Sequence, residues 1–197
     1  MISAMVMCVR YLTHPQVQMD PAVPVPAWVL NHVGRARAAT AAKANWLRGT
    51  VRVVSSGERK ALETATVIAA ACGVRPEVRE AMHENDRSAT GFLSPPEFEA
   101  VADQFFANPD VSVRGWERAI EAQARIVRET EKVLQRDATG DILFVGHGAV
   151  GTLLFCHLAG VAISRTYDQP AGGGYIFAFE RVSRRVIHPW RSIEDLV

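Results

Sequence analysis

Short apolar runs that stop abruptly at glycine, serine or histidine, each followed by helical sequence, constrain this chain more than any other feature. Asp141 to Val145 ends in Gly146-His147-Gly148 and gives way to an apolar helix, Ala149 to Leu158, closed by Gly160. Val51 to Val54 ends in Ser55-Ser56, expected as the N-cap of a helix from about Gly57 to Ala71. Leu62, Ala65, Ile68 and Ala69 give that helix its apolar face, and Gly73 ends it. An N-terminal run, Met5 to Val9, leads through Arg10, Tyr11, Leu12 and Thr13 to His14. Short, mainly apolar runs of this length read as strands of a buried sheet. Alternating with helices, they predict a three-layer α/β/α sandwich with a mostly parallel central sheet.

The remaining segments fit around that sheet. Pro15, Pro21, Pro24 and Pro26 make the stretch after His14 an irregular loop, pinned by Trp28 and Leu30. Asn31 is positioned to cap an alanine-rich helix from about Gly34 to Leu47, and Val74 to Val78 reads as a short strand. From Glu80 to Val113 the pattern loosens into an insertion or lid, with short helices near Pro96 to Phe106. A long helix is expected from about Arg114 to Gln135, striped by Trp116, Ile120, Ala124, Val127 and Leu134. Tyr175 to Phe179 is a strand, with Arg185 to His188 as its hairpin partner. The whole chain, 1–197, reads as one domain carrying the insertion at about 80–113.

A formal charge of +1, with acids and bases interleaved, argues against nucleic acid as a partner. Any need for positive charge must be met inside a pocket. Cys8, Cys72 and Cys156 are too few and too scattered for a disulfide framework or a zinc site. No apolar run approaches the roughly 18 residues that span a bilayer, and no leader-like N-terminus is visible. A cytoplasmic protein without a membrane partner is the expectation.

Two strand exits carry a histidine, His14 and His147, and the third carries adjacent cations, Arg59 and Lys60, at a helix start. Free N–H groups and the helix dipole make such a start receptive to anions. An imidazole can attack phosphorus when another group fixes its tautomer, and a second imidazole beside cations can neutralise the transferring oxygens. The leaving oxygen needs a carboxylic acid, and Glu84 in the insertion is the candidate.

At this point the chain resembles the histidine phosphatases, the phosphoglycerate-mutase-like superfamily. Ser55-Ser56-Gly57-Glu58-Arg59-Lys60-Ala61-Leu62-Glu63-Thr64-Ala65 is similar to the family's Ser-Ser-x-x-x-Arg-Ala-x-x-Thr-Ala, with Lys60 where its second phosphate-binding Arg stands. Val145-Gly146-His147-Gly148 matches its final Ser/Gly-His-Gly, and Leu30 to Ala38 resembles its Leu-Thr-x-x-Gly-x-x-Gln-Ala stretch. The first motif departs from the family: Thr13-His14-Pro15 replaces Arg-His-Gly. That substitution removes a bidentate phosphate contact and a backbone donor.

The resemblance implies a metal-independent phosphomonoesterase without an organic cofactor, acting on a small phosphorylated metabolite through a phosphohistidine. His14, Glu84 and His147 would be catalytic, and Arg59, Lys60, Thr13 and Gly148 would bind phosphate. The alternative is a phospholigand-binding or regulatory protein of the same fold with weak or no turnover. A mutase would need a second cationic subsite, for which no dense basic segment is present. The substrate's identity and the choice between monomer and homodimer stay open. Of the other histidines, His32 reads as a capping or surface residue, His83 as an exposed loop residue that could instead line the site beside Glu84, and His157 as a core residue, while His188 has no arguable partner.

Overall fold

The computed structural model describes residues 7–136 and 139–196. Six strands form one sheet: β1 (Cys8–Thr13), β2 (Thr50–Ser56), β3 (Pro76–Arg79), β4 (Asp141–Gly146), β5 (Tyr175–Glu180) and β6 (Val186–Ser192). Their order is β3-β2-β4-β1-β5-β6. The first four strands in that order run parallel, and β5 and β6 close the β1 edge as an antiparallel pair. Five α-helices cover the sheet: α1 (His32–Ala41), α2 (Arg59–Ala71), α3 (Pro95–Ala107), α4 (Ala119–Leu134) and α5 (Gly148–Ala159). This is the predicted three-layer architecture.

Strand periodicity splits the core in two. Val9, Tyr11, Ile142, Phe144, Phe177 and Phe179 pack on one face with residues of α3, α4 and α5. Leu12, Val53, Leu143, Val145 and Ile176 pack on the other with residues of α2, Ala41 and Leu47. Helix α5 is buried from Val150 to Cys156 without a polar face, as its continuous apolar sequence requires.

Several boundaries differ from the sequence reading. Strand β1 runs Cys8–Thr13 and ends beside His14 as expected; Met5 and Val6, part of the expected run, lie outside the described residues. Helix α1 stops at Ala41, because the chain turns to bury Leu47 beside it, and Asn45–Leu47 is a separate 3-10 turn. Ser55 and Ser56 belong to β2 rather than capping α2, whose N-cap is Glu58. Helix α4 starts only at Ala119, since Arg114 and Gly115 take left-handed backbone angles. Its buried face is Ala119, Ala122, Ile126 and Val133, so Ile120 and Ala124 are exposed. The expected stripe was about one residue out of register. Residues 80–113 form a 3-10 turn and one 13-residue helix, α3, rather than several short ones.

Candidate active site

Parallel register brings the two strand-end histidines together. Thr13 of β1 pairs with Gly146 of β4, so His14 and His147 leave the sheet side by side. The His14 N–H continues the ladder by donating to the Gly146 carbonyl at 3.0 Å. After β1 the chain crosses to β2 on one side of this pair, and after β4 it passes to β5 on the other. Ligands of open α/β sheets bind at such a switch point. The imidazole centroids are 5.3 Å apart, with the rings tilted by 68°.

His14 has a defined tautomer. Its Nδ1 lies 2.9 Å from the Pro15 carbonyl, which can only accept, so Nδ1 carries the hydrogen and Nε2 a free lone pair. Burial, reinforced by the charge of Lys60, pushes its pKa down to about 4. Gly173 and Gly174 pass so close that a Cβ on Gly173 would sit 2.1 Å from the His14 carbonyl oxygen. The Gly174 N–H donates to that carbonyl, and Arg37 holds the glycine loop through the Gly173 and Gly174 carbonyls.

His147 is fully buried, and burial holds it neutral, well below the ordinary histidine value. Its Nε2 is 2.8 Å from Ser56 Oγ, and its Nδ1 has no hydrogen-bond partner among the described residues. The hydroxyl of Tyr11, beneath it, accepts the His147 N–H at 3.1 Å and donates to the His147 carbonyl at 3.3 Å. Room for that hydroxyl comes from Gly146, where a Cβ would lie 2.2 Å from it.

Glu84 supplies the cap that α5 otherwise lacks. Its carboxylate accepts the N–H groups of Ala149 at 3.2 Å and Val150 at 3.0 Å, in the turn that follows His147. Burial raises its pKa, against the charge of Arg87 and the Val150 N–H. Arg125 of α4 fixes the segment bearing Glu84, donating to the carbonyls of Ala81 and His83 at 2.9 Å and of Glu84 at 3.3 Å. Glu117 pairs with Arg125 at 2.7 Å.

Lys60 is buried beside the imidazoles, and its Nζ donates to the Val25 carbonyl at 3.0 Å and to Glu58. Burial opposes ionisation of Glu58, yet the Lys60 ammonium and the Glu84 N–H hold its pKa down to about 2. Thr13 is buried beneath the site: its hydroxyl donates to Gln169 Oε1 at 2.5 Å and accepts the Tyr175 N–H at 3.1 Å. Gly148 opens α5, where a Cβ would lie 2.9 Å from Gln169 Nε2. Arg59 is not drawn into this group. Its side chain is 66% exposed and pairs with Glu63 on its own helix at 3.4 Å.

A cleft of about 1080 Å³ leads to the two carboxylates, Glu58 and Glu84, walled by residues 21–27 of the proline-rich loop and by residues 83–88, Gly91 and Phe92 of the insertion. Arg87 lines it, its guanidinium 4.8 Å over the Phe98 ring. Among the described residues Arg87 has no carboxylate within ion-pair distance. His83 lines the cleft rather than sitting free on a loop, His157 is exposed rather than in the core, and His32 lies exposed at the start of α1. Among the described residues no group of three or more His, Cys, Asp or Glu side chains could hold a metal ion.

Sequence reasoning passed over Ser56, Glu58, Arg87, Arg125, Tyr11 and Gln169 as site residues. Glu58 and Arg87 carried a signal, as charges two residues from Lys60 and three from Glu84. Tyr11, Arg125 and Gln169 carried none, since only the fold brings them near.

The histidine phosphatase superfamily (branch 1) profile matches residues 16–187. The chain belongs to the histidine phosphatase superfamily. The match begins at residue 16, so Thr13-His14-Pro15 lies outside it. No curated protein matches the chain significantly. Among solved structures, this histidine phosphatase is similar to a mycobacterial glucosyl-3-phosphoglycerate phosphatase in complex with inorganic phosphate, with TM-score 0.73, 20% identity and 94% of each chain covered. It is also similar to YhfR of Bacillus stearothermophilus, with TM-score 0.76 and 18% identity over 93% of this chain and 95% of that one. A third is the Entamoeba histolytica phosphoserine phosphatase in complex with 3-phosphoglyceric acid, with TM-score 0.75 and 15% identity over 97% and 100%. At these identities the likeness establishes the fold. No described helix is long and apolar enough to cross a membrane.

Proposed function

We propose that this histidine phosphatase is a phosphohydrolase that acts on a small phosphorylated metabolite through a phosphohistidine at His14. One observation carries the reading: a neutral imidazole with its Nδ1–H engaged by Pro15, 5.3 Å from a second buried imidazole whose following turn is capped by a carboxyl with a raised pKa. His14 Nε2 attacks phosphorus in line; the N–P bond forms as the bond to the leaving oxygen breaks. Glu84 gives its proton to that oxygen. Water then attacks the phosphohistidine, Glu84 takes the water's proton, and the N–P bond breaks to release phosphate. Environments that push two carboxyls' pKa values apart mark the acid, and here Glu84 is raised while Glu58 is held down.

His147, whose Nδ1 lacks a hydrogen-bond partner among the described residues, Lys60 and Arg87 supply the hydrogen bonds and charge that a transferring phosphoryl group needs. Arg87 stands in for the cation that Thr13 cannot provide. No step calls for a metal or organic cofactor. The test is a phosphoester panel with His14→Ala and His147→Ala as blanks; hydrolysis of at least one ester by the wild type alone supports the reading. The binder alternative draws on the engaged state of Lys60 and Thr13. It is favoured if the natural protein is inert while a Thr13→Arg, Pro15→Gly variant gains turnover.

A further inference from the structure

The Glu58 carboxylate sits where the site should hold something else. One oxygen accepts the Glu84 N–H at 2.8 Å, and the other accepts from Lys60 Nζ. A buried cation and a backbone N–H are donors of the kind that bind phosphoryl oxygens. Glu58 has a side chain only 10% exposed and lines the cleft, so its charge is poorly screened by water.

Resting on the phosphohydrolase reading, we propose that Glu58 is an intramolecular competitor for the phosphoryl site, holding Lys60 and the Glu84 N–H until a substrate displaces it. Two anions cannot share these donors. A phosphoester enters only if its remaining contacts with the cleft outweigh the displacement. Inorganic phosphate, which has no such contacts, binds weakly and leaves readily. Glu58 thereby selects esters whose non-phosphate part fills the cleft, and it limits product inhibition. No covalent step is involved. The side chain swings from Lys60 towards the cleft, and the phosphoryl oxygens take over its hydrogen bonds.

Calorimetric titration with inorganic phosphate tests this on the wild type, Glu58→Gln and Glu58→Ala. The expected result is at least tenfold tighter phosphate binding by both variants, with a parallel fall in KM for p-nitrophenyl phosphate. A general acid at this position would instead lower kcat without tightening phosphate. A purely structural partner of Lys60 would loosen phosphate when removed. Equal or weaker binding in the variants overturns the competitor role while leaving the phosphohydrolase reading intact. Absence of binding by all three proteins, with no ester hydrolysed, defeats that reading and this proposal with it. Should either variant fail to fold, the wild-type crystal structure with phosphate decides: Glu58 released from Lys60 supports displacement, and Glu58 still on Lys60 beside bound phosphate refutes it.

Discussion

At the scale of single residues, the site depends on histidines kept neutral by their surroundings. For His14 the sign follows from the depressed pKa. Between the ordinary value of 6.5 and about 4 the unfolded chain binds more protons than the folded one. The stability from a neutral His14 is therefore complete above pH 6.5 and is lost as pH falls to about 4. At 1.36 kcal/mol per pKa unit the loss is about 3 kcal/mol. Glu58 acts in a lower window, from its ordinary 4.5 down to about 2. Urea midpoints should fall from pH 7 to pH 4, and His14→Gln should flatten that fall; parallel curves for the two proteins would refute it. Tyr11→Phe leaves the His147 N–H buried without its acceptor, at an expected cost of about 1–3 kcal/mol in a urea titration. His14 and His147 were legible because their type and strand-end positions announce chemistry, and Glu84 because a leaving oxygen calls for a carboxylic acid within reach. Tyr11 was not, because inside an apolar run its hydroxyl is indistinguishable from core aromatic bulk.

At the scale of elements, two helices do more than cover the sheet. Helix α5 takes its N-terminal cap from Glu84, so the acid and the second imidazole are held by one turn. Helix α4 contributes Arg125, whose guanidinium collects three carbonyls of the segment bearing that acid. Arg125→Leu strands those carbonyls and the Glu117 carboxylate, and should cost about 3 kcal/mol in denaturant unfolding. Arg125→Lys keeps the charge but not the fork, so kcat should fall even where the fold survives. An activity equal to wild type in Arg125→Lys would rule out this positioning role. The long charged helix was visible in the sequence, but its inward face was misjudged by about one residue. The stripe was counted from Trp116, which precedes the helix, and Arg125 carried no signal because only the fold brings it to the segment bearing Glu84. Ser55 and Ser56 were misjudged for a related reason. Serine before a helix reads as a cap, whereas here Ser56 ends a strand and reaches His147.

At the scale of the whole molecule, strand order decides where chemistry can occur. The switch between β1 and β4 places two histidines 133 positions apart in sequence in ring contact, and both were readable from where apolar runs stop. The cleft walls were less legible. Nothing in the proline-rich loop or the insertion has a periodicity, yet Trp28 and Phe92 meet at 6.1 Å where the two segments face each other. Phe92→Ala should raise KM for an ester with a bulky leaving group more than it lowers kcat, and steady-state kinetics on bulky and small esters would show it. The central claim is covalent chemistry at His14 despite the Thr-His-Pro setting. It is tested most directly by quenching turnover of a labelled phosphoester and assaying the protein for acid-labile, base-stable phosphate. The account predicts labelling of the wild type and none of His14→Gln. A wild-type protein that hydrolyses the ester yet never labels, or a His14→Gln variant that labels as well, would contradict it.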